Sequence, residues 1–439
     1  MEIIHLPDNA VPGQVPIRKA RSVGRKTIGL GRVPHPDSAR LFHLRPRKQT
    51  ARPGVEYAVQ AGVRLGMNVL DPKPASRRRT LLRLSSARGS LTSLVLFVIL
   101  PAIACTQRES AERPSAKRGT SEEIVHFASG DITLAGTLVL PEGSRPHTAV
   151  VLFHGSGPQN RDLYTARWFA AEGIAALAYD KRGVGESGGD FRKVPFMELC
   201  DDGLGAIKYL KSRKEIDTKR IGVWGLSQGG WLGPLAASRS ADVAFVIAVS
   251  GPGVSPGEQM IVYYANELRE QGVAEGDVRE ASTVRRDIWN YMSSGAGYQK
   301  TKAELDEARR KRWYSQAKVQ QDDSFGPLPT PAELSKPVGR SAIWFKQEAV
   351  YDPVAALRAL RVPALFLFGD HDRLIPVDES VAVIERVLAE DKRRDFTIRV
   401  FPDADHEMRL VTSEAAGAID PAYLKTMRDW LSARVLNRP

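Results

Sequence analysis

From Ile124 onward the chain alternates between short apolar runs and longer stretches that mix apolar with charged residues. Residues 148–153 and 363–368 have the length and composition of buried strands, and 221–224, 243–250 and 396–401 are strand-like runs. The stretches between them, such as 230–238, are compatible with helix. This alternation predicts an α/β fold: a mainly parallel central sheet with helices on both faces. It stops between residues 252 and 348. That stretch is charged and helix-like, with basic and acidic residues interleaved over 302–321. An insertion at this point is expected to form a helical cap above the strand ends. The core then comprises 122–251 and 349–439, preceded by a polar linker over 106–121. The cap carries Tyr263, Tyr264, Trp289, Tyr291, Trp313, Tyr314, Trp344 and Phe345. Most of these should fill the cap's own core, because aromatic side chains bury large areas. Some are expected to line a pocket.

The segment Gly225-Leu226-Ser227-Gln228-Gly229 lies between the 221–224 run and the helix-compatible 230–238. A serine on a sharp strand-to-helix turn holds its hydroxyl exposed above the sheet, and the flanking glycines let two backbones pass closely. A serine hydroxyl is a weak nucleophile and needs a base. The base in turn needs an acid that fixes its ring. Two late strands supply candidates: 363–368 runs into Gly369-Asp370-His371-Asp372, and 396–401 into Pro402-Asp403-Ala404-Asp405-His406.

The eight histidines sort by position. His5, His35 and His43 lie in an atypical N-terminal region, and His126 in a strand-like segment. His147 precedes a strand and reads as a solvated loop residue. His154 opens the His154-Gly155-Ser156-Gly157 turn, assigned to the oxyanion region, and His371 sits inside the acid loop. His406 is left as the candidate base. Spacing alone keeps both Asp370 and Asp372 open as the acid. The backbone N–H groups of Gln228, directly after the serine, and of Ser156, in the glycine-rich turn, are the expected oxyanion donors.

These segments resemble the α/β-hydrolase superfamily, and within it bacterial serine esterases with a helical cap, the serine aminopeptidase-like or Hydrolase 4 group. The likeness is carried by residues 132–138, 154–162, 179–189, 225–230, 351–353, 369–376 and 403–406, and it is nearest to thermophilic esterases with a His-Gly-Ser-Gly-Pro loop. It covers the chain from about residue 122 onward, the cap excepted. In that family the acid is the aspartate of a Gly-x-x-Asp turn, which implies Asp372. The resemblance further implies structural roles for Arg182 and Ser187. Its activity would be cleavage of a small-molecule carboxylic ester through an acyl-enzyme on Ser227, His406 and Asp372. A thioesterase or a small-peptide aminopeptidase uses the same parts. From another class, a non-catalytic binding protein on the same fold is the alternative.

Composition narrows this further. The formal charge of +12 invites a nucleic-acid partner, but residues 1–104 carry 18 basic and 5 acidic residues, so the remainder is near neutral. A basic binding face is not implied. No Cys or His spacing typical of a metal site occurs, so neither metal nor cofactor is expected. Of the two cysteines, Cys200 falls in a helix-like run and is expected to be buried and inert.

Cys105 is read differently. It follows the apolar stretch 91–104, which is itself preceded by Arg77, Arg78, Arg79, Arg83 and Arg88. A basic segment, a short apolar segment and small residues describe a secretory signal over 67–105. Ala104 before Cys105 resembles a lipoprotein cleavage site, although Ala102 departs from its usual leucine. An exported protein, lipid-anchored through Cys105, is the expectation. Residues 1–66 precede this signal and read as disordered, or as an extension upstream of the true start at Met67 or later. The sequence leaves the oligomeric state open.

Overall fold

The structure is a computed structural model that describes residues 119–319, 327–336, 343–412 and 415–436. The expectations for residues 1–118, including the signal and Cys105, lie outside the described residues.

Eight strands form one sheet: β1 (Thr120–Ser129), β2 (Ile132–Pro141), β3 (His147–Phe153), β4 (Ala175–Tyr179), β5 (Ile216–Leu226), β6 (Val246–Val249), β7 (Ala364–Gly369) and β8 (Phe396–Phe401). Their order across the sheet is β1-β2-β4-β3-β5-β6-β7-β8. β2 runs antiparallel to β1 and β4, and every other neighbouring pair is parallel. Every residue of β3, β4, β6 and β7 is buried. Parallel strands covered on both faces need such continuous apolar runs, which is why they stand out in the sequence.

The pleat sends alternate side chains to opposite faces. Ala149, Val151 and Phe153 of β3 enter one core, and Val150 and Leu152 enter the other. The first core is closed by helices α2 (Phe196–Lys211) and α3 (Gln228–Arg239), and the second by α1 (Leu163–Ala171). This is the expected α/β architecture, with helices on both faces of a mainly parallel sheet.

Between β6 and β7 the chain leaves the sheet for α4 (Pro256–Glu270), α5 (Glu275–Ser294), α6 (Tyr298–Ala308), α7 (Arg312–Val319), the short α8 (Pro331–Leu334) and a π-helical turn at Trp344–Glu348. Met260, Leu268, Ile288, Trp289, Leu305 and Trp313 belong to a third core, separate from the two that sandwich the sheet. Tyr351-Asp352-Pro353 then starts α9 (Pro353–Ala359): the Asp352 side chain accepts from Val354 N–H at 2.9 Å, and proline opens the first turn. Such a cap satisfies one of the four orphan N–H groups at a helix start. Helices α10 (Val377–Ala389) and α11 (Pro421–Leu431) complete the two faces.

One expectation needs correction. His147 is buried at the first residue of β3, not solvated in a loop. The strand begins one residue earlier than the apolar run suggests, because His147 N–H bonds Glu215 O at 2.8 Å. Burial lowers the pKa of its ring. Cys200 is buried within α2, and burial pushes its thiol up to about 12, so it stays protonated.

Gly203 marks the tightest approach of α2 to the sheet. A Cβ there would lie 1.9 Å from Phe153 Cζ. Gly203→Ala should therefore destabilise the fold by about 1–3 kcal/mol, the usual range for overpacking. Adding Phe153→Leu should recover part of that loss. Urea melts of the two single variants and the double variant would check the coupling, and additive losses would contradict it.

Candidate active site

β5 ends at Leu226 and α3 starts at Gln228, so the whole turn falls on Ser227. Its backbone sits at φ 57° and ψ −114°, which is strained for a residue with a side chain. Two contacts impose it. Ser227 N–H donates to Val249 O on β6 at 2.9 Å, and Gly230 N–H donates to Ser227 O at 2.8 Å. Glycine is required beside it: a Cβ on Gly225 would lie 2.3 Å from Gly229 O, and one on Gly229 would lie 2.7 Å from Phe153 O.

The two aspartates of the acid loop diverge in direction. The Asp372 carboxylate is fully buried, and its Oδ2 accepts from His406 Nδ1 at 2.7 Å. Its Oδ1 accepts from Leu374 N–H at 2.9 Å. Asp370 is exposed and turns the other way. It accepts from Asp403 N–H at 2.7 Å and holds His371 Nδ1 at 2.7 Å. That hydrogen bond raises the pKa of the exposed His371 ring. With Nδ1–H committed to the carboxylate, His406 presents Nε2 as a proton acceptor.

The His406 loop is fastened at several points. Ser250 Oγ donates to His406 O at 2.8 Å, and His371 N–H donates to Ala404 O at 3.0 Å. Val249, which receives Ser227 N–H, and Ser250, which holds His406, are consecutive residues at the end of β6. The serine and histidine loops thus share one anchor.

The 154–157 turn follows β3, beside β5 in the sheet. His154 Nε2–H donates to Tyr179 O at 2.6 Å. Burial, with the Lys181 charge behind it, lowers its pKa to about 3, so the ring is neutral. Gly155 N–H donates to Gln159 Oε1 at 2.9 Å. Lys181 Nζ reaches Gly155 O at 2.8 Å and Gln228 Oε1 at 2.9 Å. Arg182 pairs with the buried Asp202, at 2.7 and 2.8 Å, and Ser187 Oγ bonds Asp180 O and Ala135 N–H. Both of these residues fasten the loop after β4 to its surroundings.

Ser156, Ser227 and Gln228 line one cavity of about 110 Å³ with Phe196, Trp231, Met260, Tyr263, Trp344, Glu348 and Leu374. Core and insertion both contribute to its wall. Of the eight insertion aromatics, Tyr263 and Trp344 line it, whereas Trp289, Tyr291 and Trp313 are buried elsewhere. The insertion also grips the acid loop. The side-chain amides of Gln259 and Asn266 on α4 donate to Leu374 O and Arg373 O, the latter at 2.8 Å, and Arg373 pairs with Glu270. Sequence reasoning missed these α4 contacts and Lys181, because nothing in the local pattern shows which loop a polar side chain will face. Among the described residues no group of three or more His, Cys, Asp or Glu could hold a metal ion, and no helix is long and apolar enough to cross a membrane.

The profile of the alpha/beta hydrolase family matches residues 150–419. Esterase EstD of Thermotoga maritima is 28% identical over 295 residues, which cover 64% of this chain and 60% of that protein. The chain thus spans less than two thirds of that relative. The quorum-quenching protein AidA of Acinetobacter baumannii is 33% identical over 129 residues, 29% of this chain and 42% of that one. Among solved structures, an esterase of Pyrococcus furiosus aligns at 16% identity and a TM-score of 0.44, covering 72% of this chain and 92% of that one.

The neutral, buried His154 has a consequence for acid stability. Its folded pKa of about 3 lies below the ordinary histidine value, so between about pH 6.5 and 3 only the unfolded chain binds that proton. Stability from this group is complete above pH 6.5 and declines as pH falls, by up to about 1.4 kcal/mol per pH unit. His154→Gln, which keeps a donor for Tyr179 O, should flatten the slope of unfolding free energy against pH over 4–6.5. An unchanged slope in denaturant melts would contradict the assignment.

Proposed function

The chain belongs to the alpha/beta hydrolase family, and on that premise we propose that it is a serine esterase with Ser227 as nucleophile, His406 as base and Asp372 as the acid that orients it. The observation that carries this reading is the pair of a buried Asp372 carboxylate and His406 Nδ1, anchored through the end of β6 to the strained Ser227 turn. The esterase name of the Thermotoga maritima relative supports the same choice.

In this mechanism Ser227 Oγ attacks the ester carbonyl carbon while its proton passes to His406 Nε2. The carbonyl π electrons move to oxygen, and the resulting anion accepts hydrogen bonds from the N–H groups of Gln228 and Ser156. Collapse expels the alcohol, which takes the proton from His406 and leaves an acyl group on Ser227. Water then attacks the acyl carbon, giving its proton to His406, and the acid departs as Ser227 regains its own. Asp372 stays ionised throughout and stabilises the imidazolium. The protein falls, on this reading, in the capped serine aminopeptidase-like group, with the helices of 252–348 as the cap. Trp231, Tyr263, Trp344 and Leu374 give the cavity an apolar wall suited to a small acyl group.

A fluorophosphonate probe should label the wild type and fail on Ser227→Ala. Asp372→Asn should lower kcat on a p-nitrophenyl ester by about 10⁴-fold, since the amide fixes the wrong histidine tautomer. Asp370→Asn should cost less than tenfold, and the reverse ranking would overturn the choice of acid.

Trp344→Ala should shift acyl-chain preference across acetate to decanoate esters, with each methylene worth about 1–3 kcal/mol. Trp289→Phe, within the insertion core, should leave that preference in place. A preference that is unmoved in a folded Trp344→Ala would remove Trp344 from the acyl pocket.

A further inference from the structure

Lys181 lies just beyond β4 and is only 3% exposed, yet its ammonium is aimed at the loops that carry the two proposed oxyanion donors. A buried ammonium is costly unless its donors are matched, so its placement is a specific feature of the fold. Nζ donates to Gly155 O at 2.8 Å and to Gln228 Oε1 at 2.9 Å, and it lies 5.3 Å from the centre of the Phe191 ring. Its backbone N–H donates to Gln159 O at 3.0 Å, and Gln159 Oε1 accepts from Gly155 N–H at 2.9 Å. Gly155 is thus held at its nitrogen by Gln159 and at its oxygen by Lys181.

The carbonyl of Gly155 and the N–H of Ser156 belong to one peptide unit. A trans peptide is planar, and its C=O and N–H point in opposite directions. Fixing Gly155 O on Lys181 therefore turns Ser156 N–H away from the ammonium, and Ser156 itself lines the cavity that Ser227 also lines. Without that anchor the peptide is free to rotate and present its carbonyl, which would repel an anion. The second contact ties down Gln228, whose N–H is the other proposed donor. One side chain thereby spans both loops and sets the distance between them. The positive charge also polarises the Gly155–Ser156 peptide, and a low-dielectric surrounding strengthens this effect.

We propose that Lys181 is the positioning residue of the oxyanion hole: it orients the Gly155–Ser156 peptide, couples it to Gln228 and supplies a fixed positive charge behind the donors. The inference rests on the serine esterase reading above. It predicts an effect in the transition state, where charge appears on the substrate oxygen, and little effect on ground-state binding.

The test compares full-length wild type with Lys181→Met and Lys181→Gln, using kcat and KM on a p-nitrophenyl ester and the inhibition constant of an alkyl trifluoromethyl ketone. That ketone forms an anionic adduct with an activated serine. Lys181→Met should lower kcat by about 10²–10³-fold, the scale of losing one oxyanion donor. KM should move less than threefold, and trifluoromethyl ketone affinity should fall in parallel with kcat. Lys181→Gln keeps a donor for Gly155 O without the charge, and should show a smaller loss of about tenfold. A folded Lys181→Met with kcat and inhibition within threefold of wild type would overturn the inference. If Lys181→Met does not fold, the same threefold limit applied to Lys181→Gln decides. A lower melting temperature with unchanged kcat and inhibition would show a merely structural lysine, which also overturns it. A wild type that fluorophosphonate does not label at Ser227 would instead overturn the esterase reading itself.

Discussion

The site depends on one steric constraint: β5 must turn into α3 within a single residue. The turn is possible because Gly225 and Gly229 pack backbone against backbone, with no room for a Cβ on either. Ser227 at φ 57° bears the resulting strain. Four non-glycine residues among those described have positive φ: Ser227, Ser250, Asp403 and Met408. All four lie on the serine turn, its anchor at the end of β6, or the histidine loop. Backbone strain persists only where surrounding structure over-determines it. Here the sheet and the two helical layers do so, and the strain is concentrated where the reacting groups are proposed to sit.

Much of this was legible in the sequence because parallel strands must be apolar on both faces. The runs at 148–153 and 363–368 became the fully buried β3 and β7 with little shift in boundary, while the strand-like run at 396–401 became β8, buried only at Phe401. The spacing of Gly225, Ser227 and Gly229 revealed the turn for a steric reason that needs no tertiary information. The choice between Asp370 and Asp372 was different in kind. Both occupy the same turn two residues apart, so spacing leaves both open and only the family resemblance implies Asp372; in the structure the side chains diverge, one facing His406 and the other Asp403 N–H.

Where sequence reading fell short, the missing information was which loops become neighbours. Lys181 stands between Asp180 and Arg182, and nothing in that charged triplet shows which loops its side chain will meet. The sheet order places the end of β4 beside β3 and β3 beside β5, and that order buries the lysine against the 154–157 and 227–228 turns. His147 was misread for a related reason, since it joins the sheet by pairing with the start of β5, where its N–H bonds Glu215 O. The insertion aromatics show the same limit: composition identified them, but only packing shows that Trp344 and Tyr263, at the edge of the third core, also reach the cavity while Trp289 and Trp313 are buried within that core.

The grip of α4 on the acid loop bears on how such a protein diversifies. Gln259 and Asn266 hold the carbonyls of Leu374 and Arg373, immediately after Asp372. The first helix of the insertion is therefore mechanically continuous with the loop that carries the carboxylate. A recombination event cutting at the two sequence boundaries of the insertion would separate hydrogen-bonded partners more than a hundred residues apart. The seam that leaves these bonds intact runs after α4. The same helix supplies Met260 and Tyr263 to the cavity wall, so the pocket and the acid loop share one support, whereas α5 to α8 contribute no residue to that wall.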